Sequence, residues 1–191
     1  MTNNLRPTDS EKKYLSHAYN YFYDIYEEVF SENFWKRTKY YRFCKAKDAF
    51  SIYAELLNYE PIGWVIEHIR KSRPPMEAEI GSELFKFIRN VVVHFSYFEK
   101  WDDVWVDKDV VNWYQKGQSI DKFITKYEGH DSVKYRMWDA KNRKMTYLSI
   151  NFPKDYSTGG KVFLKNVLKE KEGIMFSMAF IRKIIDTQVE R

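Results

Sequence analysis

The chain has 191 residues, 32 Lys and Arg against 27 Asp and Glu for a net charge of +5, and an aromatic fraction of 18%. That length suits one well-buried core, or a bundle with an appended subdomain. No stretch approaches the roughly 18 uninterrupted apolar residues of a membrane span, the single cysteine, Cys44, excludes an intrachain disulfide, and the first seven residues lack the apolar run of a secretion signal, so a cytoplasmic protein with Cys44 as a small buried side chain is expected.

Thr8-Asp9-Ser10-Glu11, following Pro7, matches a capping box and predicts a helix start. Tyr14, Ala18, Tyr21, Phe22, Ile25 and Val29 then mark one face to about residue 31. A second helix is expected from Trp35 to Asn58, with Phe43, Phe50, Tyr53, Ala54 and Leu57 inward, ending where Glu60 precedes Pro61. A third spans about Pro61 to Lys71, before the Ser72-Arg73-Pro74-Pro75 break. The fourth, Glu77 to Phe98, carries Ile80, Leu84, Ile88, Val91, Phe95 and Phe98 at helical spacing. Short connections favour antiparallel neighbours, so residues 9–98 read as an up-and-down bundle.

Beyond Phe98 the texture changes. Trp101-Asp102-Asp103-Val104-Trp105 suggests an aromatic-anchored loop, and short helices are expected over Lys108–Gln115 and from Ser119 to a stop at Gly129. Val133–Asp139 and Met145–Phe152 alternate like strands around the polar turn Ala140–Lys144, predicting a hairpin that must dock on the helices to be stable. Helices at about Lys161–Glu170 and Ile174–Gln188 finish the chain. The expected fold is mainly α: a single domain over 1–191, a helical bundle core with an appended small β-hairpin and C-terminal helices.

The basic charge is patchy. Residues 34–47 hold Lys36, Arg37, Lys39, Arg42, Lys45 and Lys47 with no acid, interleaved with Phe34, Trp35, Tyr40, Tyr41 and Phe43. Residues 133–171 hold ten basic residues against Asp139, Asp155 and Glu170. Cations interleaved with aromatics suit single-stranded RNA, so Lys36, Arg37, Lys39, Arg42, Arg136, Lys141, Arg143 and Lys144 are candidate RNA contacts; the bland reading is a set of solvated helix and hairpin faces. There is no Gly-x-x-x-x-Gly-Lys phosphate loop, and one cysteine with four scattered histidines does not make a zinc site. Asp102 with Asp103 and Asp107 with Asp109 are acidic pairs of a kind that could hold Mg²⁺, but paired surface acids are common and helix capping explains Asp107 more cheaply.

The segment Arg89-Asn90-Val91-Val92-Val93-His94 is the most informative, because three polar residues sit in a helix that otherwise gains from burial. At about 100° per residue, Glu83, Asn90 and His94 form one polar line, whereas Arg89 projects about 140° away from His94. Arg-Asn-x-x-x-His on a helix resembles the signature of the HEPN superfamily, helical-bundle proteins that include many metal-independent ribonucleases and toxins of defence systems. The resemblance rests on Arg89, Asn90 and His94 with their apolar frame, and extends over the helical bundle of residues 9–98. It implies a homodimer whose two-fold cleft holds both copies of the motif, RNA as substrate, and a toxin or anti-phage role in which a neutralising antitoxin-like partner has a place. His94 would move the proton, Arg89 would neutralise the phosphoryl oxygens, and Asn90 would orient His94 or the phosphate; Glu83 joins them by helical phase alone. The attacking hydroxyl belongs to the RNA, so neither metal nor cofactor is called for. The alternative is a non-catalytic RNA-binding or protein-interaction module on the same bundle.

Overall fold

The computed structural model describes residues 8–71, 75–95, 97–114, 117–131, 133–139, 142–156 and 159–189. Its first helix, α1 (Asp9–Val29), starts where the capping box places it. The Thr8 hydroxyl accepts from the Glu11 amide at 3.3 Å, and the Glu11 carboxylate accepts from the Thr8 amide at 2.7 Å. Leu15, Phe22, Ile25 and Val29 are buried, while Tyr14 and Tyr21 lie outside the core.

The expected second helix is two helices. A five-residue turn, α2 (Glu32–Lys36), is followed by α3 (Lys39–Leu56). Arg37 is extended, and Thr38 caps α3 by accepting from the Tyr41 amide at 3.2 Å. A threonine side chain that satisfies an orphan amide makes a new start cheaper than continuation. The inward face of α3 is Arg42, Phe43, Ala46, Ala49, Phe50, Tyr53 and Leu56, with Leu57 outside it.

After α4 (Glu60–Lys71) comes α5 (Pro75–His94), which ends four residues earlier than its periodicity suggests. Phe95 and Phe98 are still buried, but from the turn beyond the helix, so the apolar spacing outlasts the helical backbone. This helix is the axis of the molecule and packs against α3 and α4, and against three elements from the C-terminal half.

Those elements follow in order: a 3-10 turn over Trp101–Asp103, β1 (Trp105–Val106), α6 (Lys108–Tyr114), α7 (Ser119–Tyr127), β2 (Val133–Asp139), β3 (Lys144–Ile150), β4 (Val162–Phe163), α8 (Leu164–Val167) and α9 (Glu170–Val189). The hairpin is antiparallel, with Tyr135 opposite Leu148 and Arg136 opposite Tyr147. The helix expected over Lys161–Glu170 is mostly replaced: Val162 and Phe163 pair antiparallel with Val106 and Trp105, leaving one helical turn before α9. A short apolar run does not by itself distinguish strand from helix, and here a distant partner decides.

The mainly helical architecture, with its two-stranded hairpin and C-terminal helices, is as expected. The C-terminal half shares the core of the bundle. α9 packs on α1, α3, α4 and α5, and one continuous core joins residues from Leu15 to Ile185. Trp101 is fully buried with its indole nitrogen donating to the Leu168 carbonyl at 2.8 Å, and its ring lies where a Cβ on Gly173 would come within 2.3 Å. Only glycine lets α9 approach that closely. Among the described residues no helix is long and apolar enough to cross a membrane.

Candidate functional site

α5 is held from two sides, and the division decides what each motif residue can do. On one side α7 runs antiparallel along it: Ser119 meets Asn90, Phe123 stacks on Phe87 with centroids 4.5 Å apart, and Lys126 and Tyr127 reach Glu83. On the other side Phe85 stacks on Phe180 of α9 at 4.4 Å and meets the edge of Tyr53 of α3 at 4.9 Å.

Asn90 is 4% exposed and its side-chain nitrogen donates to the Ser119 hydroxyl at the start of α7. Its other amide end, Oδ1, is buried without a partner. Turning the amide over would leave the nitrogen orphaned instead, so one end stays unpaired in either orientation. Asn90 therefore ties α5 to α7. Glu83 is also engaged, accepting from the Tyr127 hydroxyl at 2.6 Å and from Lys126 Nζ at 3.1 Å. Burial and this carboxylate push the Tyr127 hydroxyl up to about 12. Glu83 and Asn90 share a helical line with His94, but α7 covers that line only as far as Asn90.

His94 occupies the last turn of α5 and is exposed. The C-terminal end of a helix favours an imidazolium. Here partial shielding of the ring, followed by the positive charge of Arg89, lowers the His94 pKa from its ordinary value. Arg89 thus lies within Coulombic range of His94 in one chain despite their angular separation. Among the described residues neither side chain has a hydrogen-bond or ion-pair partner.

Arg89 also lines a cleft of about 490 Å³ between α3, α4, α5 and α9, with Tyr53, Phe85 and Phe180 as aromatic wall and Lys86, Ser82 and Glu83 beside it. Burial pushes the Tyr53 hydroxyl up to about 12, with Arg89 opposing. Lys86 was not among the sequence candidates. The signal was there, since Lys86 lies three residues before Arg89 on the same face.

The basic stretch 34–47 is less cationic in space than in sequence. Arg42 is 8% exposed and bidentate to Glu170, Nε to Oε1 at 2.7 Å and Nη2 to Oε2 at 3.0 Å, with Nη1 donating to the Arg37 carbonyl at 2.5 Å. A phosphate would have to displace a buried pair to reach it, so Arg42 serves the fold. Lys39 is bound to Asp102 at 2.5 Å and Lys45 to Glu28 at 3.5 Å. Lys36 and Arg37 are exposed, the Arg37 guanidinium lying 4.6 Å from the Tyr41 ring centre. Cys44 is half-buried, which corrects the expectation of a buried thiol.

On the hairpin, Arg136, Arg143 and Lys144 are exposed, and Lys141 lies outside the described residues. Asp107 caps α6 by accepting from the Val110 amide at 2.7 Å. Among the described residues no group of three or more His, Cys, Asp or Glu is placed to hold a metal ion.

No protein-family model, curated protein or solved structure matches this chain.

Proposed function

We propose that this chain is a HEPN-like, metal-independent endoribonuclease that cleaves RNA by attack of the 2′-hydroxyl on the adjacent phosphodiester, at a cleft shared by two copies. One observation carries the reading. Of the motif residues and Glu83 on α5, Asn90 and Glu83 are engaged by α7, while Arg89 and His94 have no hydrogen-bond or ion-pair partner among the described residues and lie within electrostatic reach of each other. A guanidinium and an imidazole kept in that state at the end of an apolar helix suit a transient anionic substrate.

His94, mainly neutral at pH 7, takes the 2′-hydroxyl proton as the new P–O bond forms. Arg89, with Lys86 nearby, neutralises the charge that builds on the phosphoryl oxygens. The bond to the 5′-oxygen then breaks, and that oxygen needs a proton. In a two-fold pair the second copy's His94, in its protonated imidazolium form, supplies it, leaving a 2′,3′-cyclic phosphate and a 5′-hydroxyl. Val93 and Tyr97, 40% and 62% exposed on either side of His94, give this end of α5 the apolar surface that a partner copy would cover. Asn90 acts at one remove, as a positioning residue that fixes α7 against α5.

The test is cleavage of a single-stranded RNA in the presence of a chelator. Wild-type cleavage to cyclic-phosphate ends, lost in His94→Ala and Arg89→Ala chains that still fold, supports the reading; cleavage indifferent to both substitutions contradicts it. A second reading, RNA binding without chemistry, draws on the buried Asn90, whose service to the fold explains one motif residue without catalysis. Salt-dependent binding with no cleavage by the wild-type chain would select it.

A further inference from the structure

The two faces of the hairpin differ sharply. Its inner face is clamped: Tyr135, Leu148 and Ile150 are buried, and Tyr135 meets Phe176 of α9 edge-on at 5.4 Å. A Cβ on Gly81 of α5 would come within 2.8 Å of the Tyr135 ring. A one-residue slip would turn this set outward, so the register is fixed and the outer face is presented rigidly.

That outer face consists of Lys134, Arg136 and Trp138 on β2, opposite Ser149, Tyr147 and Met145 on β3. Trp138, Tyr147 and Met145 are 55%, 57% and 51% exposed, and no acid belongs to the face. Large aromatics held in water beside cations on one face of a hairpin are costly for a face with no occupant. We propose that the outer face of the hairpin is a stacking platform for single-stranded nucleic acid, taking bases on Trp138 and Tyr147 and phosphates on Lys134. In the reading above that strand is the RNA substrate, and the proposal deepens that reading.

The charge argues for this occupant over a second copy of the chain, because a two-fold contact through this face would bring its cations together. Stacking argues for a single strand, whose bases have open faces, whereas duplex bases are already stacked. The hairpin sits over Gly81, thirteen residues before His94 and so about 20 Å away along α5. A strand on the platform reaches the catalytic end only through several nucleotides, so the probe must be a long oligonucleotide.

The experiment uses the full chain carrying His94→Ala, so that RNA is not consumed, and a fluorescein-labelled twelve-nucleotide uridine RNA followed by fluorescence polarisation. Trp138→Ala and Tyr147→Ala each weaken binding roughly five- to a hundredfold, and Trp138→Phe restores most of the loss. Lys134→Gln flattens the fall of log affinity with log salt by about 0.7. A DNA strand of the same length binds comparably, since stacking does not read the 2′-hydroxyl, while a blunt duplex binds at least tenfold more weakly. Affinity unchanged in both alanine variants overturns the platform, as does equal affinity for the duplex. A shift in oligomeric state by Trp138→Ala without loss of RNA affinity would assign the face to a second copy instead. RNA that binds through Trp138 but is never cut by the wild-type chain defeats the nuclease and leaves the platform; RNA that is cut with affinity indifferent to Trp138 does the reverse.

Discussion

His94 and Asn90, one helical turn apart, have opposite fates. The imidazole is exposed at the end of α5, and the amide is buried against Ser119. Because shielding and Arg89 lower the His94 pKa, Arg89→Gln should raise it toward the ordinary value, as read by NMR titration of the imidazole ring. A pKa unmoved by that substitution would separate the two residues. The sign of the linkage is fixed by the same shift. The unfolded chain takes up the His94 proton at a higher pH than the folded chain, so folding stability falls as pH drops from the ordinary histidine range through the lowered folded value. His94→Gln should remove that part of the acid sensitivity, measured as the melting temperature across pH 7 to about 5. Asn90→Ala should cost roughly 0.5–1.5 kcal/mol in urea denaturation, the worth of one hydrogen bond, reduced by the relief of an orphaned carbonyl oxygen. The motif itself was legible from the sequence. The difference between its members was not, because it depends on where α7 begins, and helical phase carries no such information.

Among the elements, most of what local chemistry specifies is legible in the sequence, and what distant partners specify is not. The Thr8–Glu11 box set the start of α1, Gly129 with its φ of +78° closed the turn after α7, and period-two alternation marked both hairpin strands. The break before α3 had a local sign in Thr38, obscured by a helical pattern continuing on both sides of it. β1 and β4 had no local sign, since two residues become a strand only by finding two others about 57 positions away. Arg42 shows the same limit in side chains: in the sequence it belongs to a run of cations, and only the fold brings Glu170 to it. Breaking that pair by Arg42→Ala leaves a shielded carboxylate and should cost about 3 kcal/mol in denaturant titration. The double change Arg42→Met with Glu170→Leu should cost clearly less, and an equal loss would mean that packing, not pairing, carries the effect. RNA affinity should not respond to Arg42 beyond that loss of stability.

At the scale of the whole molecule, α9 closing against α1, α3, α4 and α5 makes one body in which α5 is central and its C-terminal end is left at the surface. That end carries the apolar Val93 and Tyr97 around His94, the arrangement a two-fold partner would bury. Val93→Asp should therefore lower the dimer fraction in light scattering and lower cleavage with it, while the fold, changed at one exposed position, shifts by no more than about 0.5 kcal/mol. A monomeric wild-type chain that cleaves at full rate would remove the shared cleft from the account. Cleavage by Arg89 and His94 is tested most directly by the end chemistry of RNA cut by wild-type and His94→Ala chains with chelator present. The expected result is 2′,3′-cyclic phosphate ends from the wild type and a rate lower by a hundredfold or more in His94→Ala, within the usual range for general acid–base catalysis. RNA left intact by the wild type, or cut equally by both chains, would contradict it.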